Sequence, residues 1–569
     1  MFVRRLFNRM LVVATLTMSV NYVVMLSSSV VVGNLVGADG LAGVNTCTPV
    51  FGVASFLASL LSVGTALVFS RAMGAFDARR AASVFSQSLA LAVLLGAAIY
   101  VAMRLGETAF FDFAGVTGAV RREAEAYWRW QSAVLALSPS VLLLEALVYA
   151  DGDVAVAALA GVLHVSGAVG LSVLFTAWTG DAGGAAAGTA LTMVVVLAVC
   201  ALHFLRRHNH LRWRLRPSWR DLGATLAASL ADSTIYLCWG VLILVVNTFT
   251  VAHFGQGLLP VVALAASVVE LSIVFDGVGE ALLPIGGMYD GEGNLPALRE
   301  LARHSAWVAT AEGAAVGAIL FVLAPQVAMA YGLRADAAAL LPEAVAMIRS
   351  LAIAMPFMGL LMMANTHFLV VHHIPFAVSV TVVKDLLLPC AGALALGRAF
   401  GSRGMWIGFS VGYVAAAAYP FLAVRLCHGR ALFPWLIARD GGRSVDFSEV
   451  LERGSPIGAG RRTADFLGRR GVSAAVAAAA ADLVQAACEA TVKANAVRRV
   501  TAEVFVSCEA DSVRLVLRDD GRAQDVNAAI GAAARTASFR YLNTLGCNRT
   551  EYRLPGTLRS LCVHAAVLV

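Results

Sequence analysis

The stretch SVGTALVFSRAMGAFD (residues 62–77) closes an apolar run, and GVGEALLPIGGMYDGE (residues 277–292) repeats its plan 215 positions later. Both contain V-G-x-A-L, followed by a break with glycine and by an acidic residue. That separation corresponds to about six membrane spans of about 20 residues with their loops. Because six is even, the two halves would cross a bilayer in the same direction. Parallel halves commonly hold a substrate site between them, near the midplane.

The rest of the chain has the composition of a membrane protein. Of its 569 residues, 59% are hydrophobic and 14% are charged. Soluble domains have about 45–50% apolar and about 25% charged residues. Over roughly the first 430 residues, apolar runs recur at the length of about 20 residues that a helix needs to cross a bilayer. Helices satisfy their own backbone polar groups, as lipid requires.

We predict an all-α polytopic membrane protein with twelve transmembrane helices in two parallel six-helix repeats, followed by a small α+β domain. The predicted spans centre near residues 20, 58, 94, 138, 165, 193, 236, 270, 314, 356, 387 and 413. The second, fourth, eighth and tenth are the least sharply bounded. The predicted units are an N-terminal lobe (1–215), a C-terminal lobe (216–435), a polar linker (436–461) and a tail domain (462–569).

The distribution of arginine among the loops predicts how the chain is oriented in the membrane. The loop LRRHNHLRWRLRPSWRD (205–221) holds six arginines, whereas VGADGLAG (36–43) and TGDAGG (179–184) hold no lysine or arginine. Basic loops stay on the cytoplasmic side, so we expect both termini in the cytoplasm, in the plasma membrane of a bacterium. The net charge of +7 therefore reflects topology, and we expect the lipid bilayer and no nucleic acid as a partner.

Several motifs resemble the multidrug and toxic compound extrusion (MATE) family, in the family's order and spacing. They are VGNLVGADGLAGVNTCTPVFG (32–52), the segment around the first repeat (60–91), YADGD (149–153) and GSRGMWIGFSVGY (401–413). The resemblance covers about residues 7–430. It implies an antiporter: protons or sodium run inward while a small organic compound, often cationic and amphipathic, leaves. The wider superfamily also contains lipid-linked sugar flippases, so the fold does not fix the substrate.

The resemblance implies a transporter and not an enzyme. The sequence contains no Walker motif, so it is no ATP-driven pump of the P-loop kind. Its nine cysteines are scattered without a C-x-x-C pair, which indicates neither a metal site nor a disulfide framework. We expect no required cofactor beyond H⁺ or Na⁺ as the coupling ion.

Ser28 marks a departure from the family. Many members carry an aspartate five residues before the glycine of the first-span VG, and here that position is Ser28 in MLSSSVVVGN. A serine hydroxyl cannot take up and release a proton or offer sodium a full charge. If the first-span coupling site operates, it has moved; the alternative is a subfamily that uses carboxylates of the second half.

Other charged residues of the spans are therefore coupling candidates. Asp232, Glu270 and Glu145 lie within predicted spans. An ionisable residue inside a membrane is costly unless it faces a cavity or a partner, so function is the default hypothesis. Helix caps or interface positions are the alternative, which we favour for Asp276 and Glu280, and likewise for Asp151.

Lys384 and Asp385 sit side by side in VTVVKDLLLPCAG (380–392), near the middle of the eleventh predicted span. Neighbours in a helix point about 100° apart, so we expect each to face another helix or cavity water instead of its neighbour. One hypothesis is that Lys384 pairs with a cavity carboxylate and is released when protons or substrate bind. A fixed interhelical ion pair is the equal alternative.

The tail resembles the histidine-kinase-like (GHKL) ATPase domain of the anti-sigma-factor type, over about residues 462–569. The resemblance implies that Asn495 would hold magnesium and phosphate, and that Asp519 and Gly521 would line the adenine pocket. The match is incomplete, since the acidic residue four before the asparagine is Thr491 here. Phosphate-binding loops need glycine for close backbone approach, and the glycine-rich second box is reduced to IGAAART. We therefore expect ATP to bind weakly or not at all.

Element by element, the tail sequence predicts a helix in AAVAAAAADLVQAACEATVKANAVRR, two strands in TAEVFVSCEADSVRLVLRDDG, a helix in AAIGAAARTA and a hairpin in SFRYLNTLGCNRTEYRLP.

Two alternatives to an antiporter stay open. One is a membrane-anchored sensor whose tail binds a cytoplasmic protein partner, and the other is a lipid-linked sugar flippase.

Overall fold

The computed structural model describes residues 2–114, 117–206, 209–214, 217–255, 258–330, 340–438, 441–452, 455–495, 499–508, 512–521, 548–554 and 558–566. The first half of the membrane bundle consists of α1 (Phe2–Leu35), α2 (Ala38–Ser59), α3 (Ser62–Gly74), α4 (Ala78–Ala114), α5 (Gly118–Ala150), α6 (Val154–Thr179) and α7 (Gly183–Ala201). The second half consists of α8 (Trp219–Phe254), α9 (Leu259–Glu270), α10 (Asp276–Glu292), α11 (Leu295–Ala330), α12 (Leu340–Val370), α13 (Ile374–Val382), α14 (Leu388–Ala423) and α15 (Gly429–Leu432).

Within the described residues, ten helical segments are long and apolar enough to cross a membrane. One of them, Ile374–Leu432, turns back at Gly401, whose φ of 74° lies in the left-handed region. A Cβ at Gly392 would lie 2.0 Å from the Gly408 carbonyl oxygen, so the two arms pack side by side as a hairpin. Another, Ala474–Lys493, packs on the tail sheet. The protein is thus mostly helical and multi-pass, and the count of twelve stays a prediction.

The two repeated segments become α3 and α10, and they pack directly against each other. A Cβ at Gly74 would lie 2.1 Å from the Met288 carbonyl oxygen, and one at Gly291 would lie 2.2 Å from the Arg71 carbonyl oxygen. The Arg71 guanidinium also pairs with Asp290 at 2.9 Å. Glycine therefore lets two backbones meet across the interface between the lobes, at the end of the bundle where the chain begins.

Both repeated segments follow an interrupted helix. The chain leaves helical hydrogen bonding at Leu60 and Leu61 between α2 and α3. It tightens into a 3-10 segment, Leu271–Phe275, between α9 and α10. These interruptions lie at the second and eighth predicted spans, two of the four whose limits the sequence leaves indistinct.

The tail is a five-stranded antiparallel sheet with two helices on one face. Its elements are β1 (Ser444–Leu451), α16 (Ser455–Arg469), α17 (Ala474–Ala494), β2 (Val500–Cys508), β3 (Ser512–Asp519), β4 (Asn548–Leu554) and β5 (Leu558–Ala566), in the strand order β1-β2-β3-β5-β4. Val504 and Leu515 are among the residues that alternate towards the helices and form the tail core. The predicted helix α17 and the strands β2 and β3 are confirmed.

The structure differs from two other parts of the tail prediction. The span predicted as a linker contains β1 and the start of α16, because the half-polar strand SVDFSEVL pairs along its whole length with β2. The closing hairpin is formed by β4 and β5, and is therefore shifted towards the C-terminus relative to the prediction. The helix predicted in residues 528–537 lies outside the described residues.

The opposite face of the sheet lies on the membrane bundle at the end where the chain begins. Asp446 of β1 accepts a hydrogen bond from the side-chain amide of Asn294, a residue that follows α10. It also faces the buried Glu503 carboxyl of β2 and lies near the Tyr289 hydroxyl. Burial raises the pKa of Asp446 to about 7 and that of Glu503 well above its usual value. Neighbouring carboxyls, one of them fully buried, take up protons at a higher pH than isolated ones in water.

The glycine contact between α3 and α10 predicts a strong effect of one methyl group. Gly74→Ala should lower stability by about 1–3 kcal/mol, because the new Cβ would overlap the Met288 carbonyl. Gly106→Ala is the matched control, since nothing lies within 4 Å of a Cβ there. Thermal unfolding in detergent measures both, and equal midpoints for the two variants would refute the close-approach argument.

The buried carboxyls predict that the contact between the tail and the bundle depends on pH. The docked state binds the Asp446 proton more tightly than the undocked state, so its stabilisation is complete at acid pH and is lost as the pH rises through about 7. Hydrogen exchange of β1 amides, corrected for intrinsic rates, should show faster exchange at pH 8 than at pH 6. Asp446→Asn should flatten this difference; an unchanged pH dependence in the variant would contradict the assignment.

Candidate functional site

A cavity of about 210 Å³ opens in the second half of the bundle, and we call it the second-lobe cavity. Its polar and aromatic lining includes Trp239, Glu270, Asp276, Asp385 and Tyr413. These residues come from α8, from the two sides of the α9–α10 interruption, from the segment before α14 and from α14 itself. Glu270 and Asp385, two coupling candidates that are far apart in sequence, thus line the same cavity.

The interrupted helix explains why the cavity is polar. Glu270 ends α9 and Asp276 begins α10, with the 3-10 segment between them. Irregular backbone at membrane depth is tolerated where it lines a cavity instead of lipid. Asp276 also opens α10, where the helix dipole favours negative charge. Asp276, for which the sequence suggested a helix-cap or interface position, is therefore in the first turn of α10 and part of the cavity wall.

Lys384 and Asp385 form an ion pair with each other, contrary to the expectation from an ideal helix. The Lys384 Nζ lies 2.6 Å from the Asp385 Oδ2, and the Lys384 side chain is only 4% exposed. Val383–Leu387 form a π-helical segment, whose wider turn departs from the 100° spacing of the α-helix. Such π-segments frequently occur at functional sites.

The charge of the second-lobe cavity suits a cation. Among the described side chains, three carboxyl groups, of Glu270, Asp276 and Asp385, line it, while Lys384 supplies one ammonium group from behind its wall. The Trp239 side chain hydrogen-bonds to Glu270 and holds that carboxyl in place. Carboxylates in a low-dielectric site attract protons, metal cations or organic cations more strongly than they would in water.

A second cavity, of about 150 Å³, lies between α1, α5, α6 and α10, and we call it the first-lobe cavity. The Glu145 candidate lines it and pairs with His164 Nδ1 at 3.1 Å. Glu280, for which the sequence suggested a cap or interface position, lines the same cavity, as does Ser62 at the start of α3. His164 is a functional candidate that the sequence reasoning missed; a lone histidine in the apolar run ALAGVLHVSGAVG was the available signal.

Two predicted coupling residues lie outside the described side chains. Ser28 belongs to α1, and Asp232 belongs to α8, three positions before the cavity residue Ile235. Asp151 directly follows α5, and its carboxylate pairs with both His203 and His210 at 2.8 Å. The sequence suggested a helix-cap or interface position for Asp151.

In the tail, the three predicted nucleotide-pocket residues come together where α17 and β3 end. The Gly521 amide donates to Asp519 Oδ1 at 3.0 Å, and a Cβ on Gly521 would lie 2.7 Å from the Asn495 side chain. Thr491 occupies the position of the expected acid and hydrogen-bonds to Asp519 at 3.4 Å, while Asn495 donates to the Thr491 carbonyl. The polar groups of this pocket therefore take part in hydrogen bonds with one another.

The ion pair of Lys384 and Asp385 predicts a specific pattern of stability. Lys384→Met should destabilise the protein by about 3 kcal/mol, because it leaves a buried carboxylate without its partner. Lys384→Met combined with Asp385→Asn should recover most of that loss. Arg104→Met, which breaks the exposed pair with Glu107, is the control and should cost less than about 1 kcal/mol. Thermal unfolding measures the stability of each variant. A double variant that loses the sum of the two single-variant losses would contradict the pairing.

Comparisons with known proteins agree with this architecture. The family model MatE matches residues 14–176. Two solved structures, "Crystal structure of MATE in complex with MaL6" and "Outward-facing conformation of a multidrug resistance MATE family transporter of the MOP superfamily", each align with a TM-score of 0.70 at 25% identity. Each alignment covers 75% of this chain and 96% of the other.

A third solved structure is described as "Reverse polarity of binding pocket suggests different function of a MOP superfamily transporter from Pyrococcus furiosus Vc1 (DSM3638)". It aligns with a TM-score of 0.69 at 25% identity, over 75% of this chain and 96% of its own. No curated protein matches the chain. The family model matches part of the first lobe, and the solved MATE structures share the fold over most of the chain. The chain therefore has the multi-pass membrane fold of a MOP superfamily transporter.

Proposed function

We propose that the protein is a secondary antiporter that exports organic cations in exchange for protons or sodium, in the cytoplasmic membrane of a bacterium. The observation that carries the proposal is the second-lobe cavity at an interrupted helix, with Glu270 and Asp385 in its wall. Discontinuous helices at equivalent places in two repeats point to the binding site of a transporter. The interruptions before α3 and α10 occupy such places, and each borders a cavity.

In the proposed coupling, Asp385 exchanges partners. In the described state its carboxylate is neutralised by Lys384. A proton or sodium ion arriving at the cavity competes with the Lys384 ammonium for that carboxylate, and an organic cation competes for the same negative charge. Because the single carboxylate of Asp385 cannot neutralise both cations, binding of the coupling ion to it weakens binding of the substrate. This exchange is the thermodynamic requirement for antiport.

The first-lobe cavity offers a substitute for the family's missing first-span aspartate. Glu145 and His164 are paired there, beside Glu280. Unlike the hydroxyl of Ser28, an imidazole beside a carboxylate can hold and release a proton near neutral pH. We propose this pair as a second protonation site of the transport cycle.

The charge of both cavities argues against a lipid-linked sugar as the substrate. The diphosphate of such a lipid would meet Glu270, Asp276 and Asp385 in one cavity, or Glu145 and Glu280 in the other. Like charges in a low-dielectric site repel strongly. The membrane-anchored sensor stays an alternative that a transport assay separates.

For the tail, we propose a GHKL-type regulatory domain that has lost nucleotide chemistry. The support is the mutual hydrogen bonding of Thr491, Asn495 and Asp519, which uses the groups a nucleotide would need. Calorimetric titration of the full-length protein with Mg-ATP should give the same small heats as Asp519→Asn. Micromolar binding that disappears in the variant would overturn this proposal.

The transport proposal predicts loss of export when one cavity carboxyl is neutralised. Cells producing Glu270→Gln or Asp385→Asn should accumulate a fluorescent organic cation as cells without the protein do, although the variants reach the membrane in normal amounts. Glu107→Gln, the same chemical change at the exposed end of α4, should export like the wild type. A protonophore should abolish export if protons are the coupling ion.

Wild-type export by both cavity variants would refute the assigned coupling site. No export of several cations by the wild type, together with uptake or flipping of another substrate, would favour the flippase hypothesis.

A further inference from the structure

The sheet of the tail has a second face, directed away from α16 and α17, which we call the docking face. It consists of alternate residues of β1, β2 and β3: Asp446, Ser448, Thr501, Glu503, Phe505, Arg514, Val516 and Arg518. Several of them are charged, yet Glu503 and Arg518 are at most 1% exposed. Charged side chains are almost never buried to this extent unless they are paired.

The docking face contacts the first lobe at three points. The Phe2 amide donates to Ser448 Oγ at 3.2 Å. Arg5 donates to Thr501 Oγ1 at 2.6 Å and lies 3.7 Å from the carboxylate of Asp520. All of these contacts anchor the beginning of α1 to the tail.

The third contact with the first lobe is apolar. Phe76, in the turn between α3 and α4, packs against Phe505 and Val516 of the docking face. Its φ of 58° lies in the left-handed region, where a bulky residue is rare. A phenylalanine held in this conformation presents its ring to the sheet.

The docking face contacts the second lobe through a buried ion cluster. Arg518 pairs with Glu503 at 2.6 Å and with Glu292, the last residue of α10. The Arg518 guanidinium also lies over the Tyr289 ring, 5.0 Å from its centre, and the Tyr289 hydroxyl donates to Glu503 at 3.0 Å. The tail therefore supplies a guanidinium and a carboxyl group, and α10 supplies a second carboxyl group and an aromatic ring.

The same helix is held a second time by β3. Arg514 donates to the Glu292 carbonyl at 3.1 Å, which caps the C-terminal end of α10 with a positive charge. The tail is therefore attached to α1 and the α3–α4 turn in one lobe, and to the end of α10 in the other. The same end of the bundle is also closed directly by Arg71 and Asp290.

A buried ion cluster shared by two bodies makes an all-or-none contact. With every partner present, the Arg518 guanidinium lies against the carboxyls of Glu503 and Glu292, and in the separated state each group is solvated by water. A partly broken cluster leaves a charge both buried and unpaired, which is the most costly arrangement. The contact is therefore expected to be either fully made or fully released.

We propose that the docking face is a releasable clamp that fastens the two lobes together at the end where the chain begins, and that the lobes separate there only after the tail has left. The inference rests on the proposed transport function, because alternating access requires the lobes to part at each end in turn. A clamp across one end holds the transporter in the state closed at that end. The tail thereby sets the fraction of protein free to transport.

One experiment locks the clamp. Arg5→Cys with Asp520→Cys replaces the partly exposed ion pair between α1 and the tail, whose charged groups lie 3.7 Å apart, and a short bis-thiosulfonate joins the two thiols. The crosslinked protein should lose export, and dithiothreitol should restore it. Each single cysteine variant, treated in the same way, is the control for reaction at native cysteines. Export at the wild-type rate by fully crosslinked protein would overturn the proposal.

A second experiment releases the clamp without measuring transport. Spin labels at Arg79→Cys in the first lobe and Arg303→Cys in the second, both exposed and placed in a Cys427→Ser background, report the distance between the lobes. Phe76→Asn removes the apolar contact while keeping a residue that tolerates positive φ, and Arg518→Gln breaks the ion cluster. Both should shift the distance distribution to longer values.

Arg469→Gln is the matched control for these variants, since this exposed arginine of α16 lies on the opposite side of the tail. Its distance distribution should equal that of the wild type. An unchanged distribution in both Phe76→Asn and Arg518→Gln would overturn the clamp. If the distances respond while neither the wild type nor any variant transports cations, the clamp stands and the proposed function fails.

Discussion

The backbone contact between α3 and α10 is the constraint on which the rest of the bundle depends. Gly74 and Gly291 let carbonyl oxygens approach where any side chain would collide. The contact joins the two lobes at one end, at the far ends of the two helices that follow the interruptions. Since backbone groups freed by an interruption cannot face lipid, a polar cavity forms beside each one. The site is therefore a consequence of how the repeats meet.

Charged side chains determine the properties of the second-lobe cavity and of the end of α10. In the second-lobe cavity, one ammonium and several carboxyls share a site with low dielectric, so the arrival of a cation changes every pairing. At the end of α10, a different set of buried charges joins the lobes to the tail. The same helix thus begins in the second-lobe cavity with Asp276 and ends at the clamp with Glu292. A movement of α10 would affect both places at once.

Much of this architecture could be predicted from the sequence. The apolar runs predict the helices, the V-G-x-A-L repeat identifies the pair of segments that meet, and the intramembrane carboxyls Glu270 and Glu145 mark the cavities. The pairing of Lys384 with Asp385 could not be predicted, because a π-helical segment has no simple sequence pattern. His164, Asp276 and Glu280 depend on which way a helix is rotated in the bundle, which only its packing decides.

The tail shows the same limits. Strict alternation predicts β2 and β3, whereas β1 reads as a linker because its outward residues are polar and its partner strand lies about 50 residues away. The docking face could not be predicted at all. Glu503 and Arg518 appear in the sequence as ordinary solvent-facing residues of a sheet, and only contact with the bundle makes them part of a buried cluster.

Purified protein in sealed liposomes tests cation antiport most directly. With an organic cation such as ethidium on one side and a pH-sensitive dye inside, movement of the cation against a proton or sodium gradient is followed together with the ion flux. The account predicts that the organic cation drives ion movement in the opposite direction, and that this flux disappears in Glu270→Gln. Movement of the cation without any counterflow of protons or sodium would contradict it.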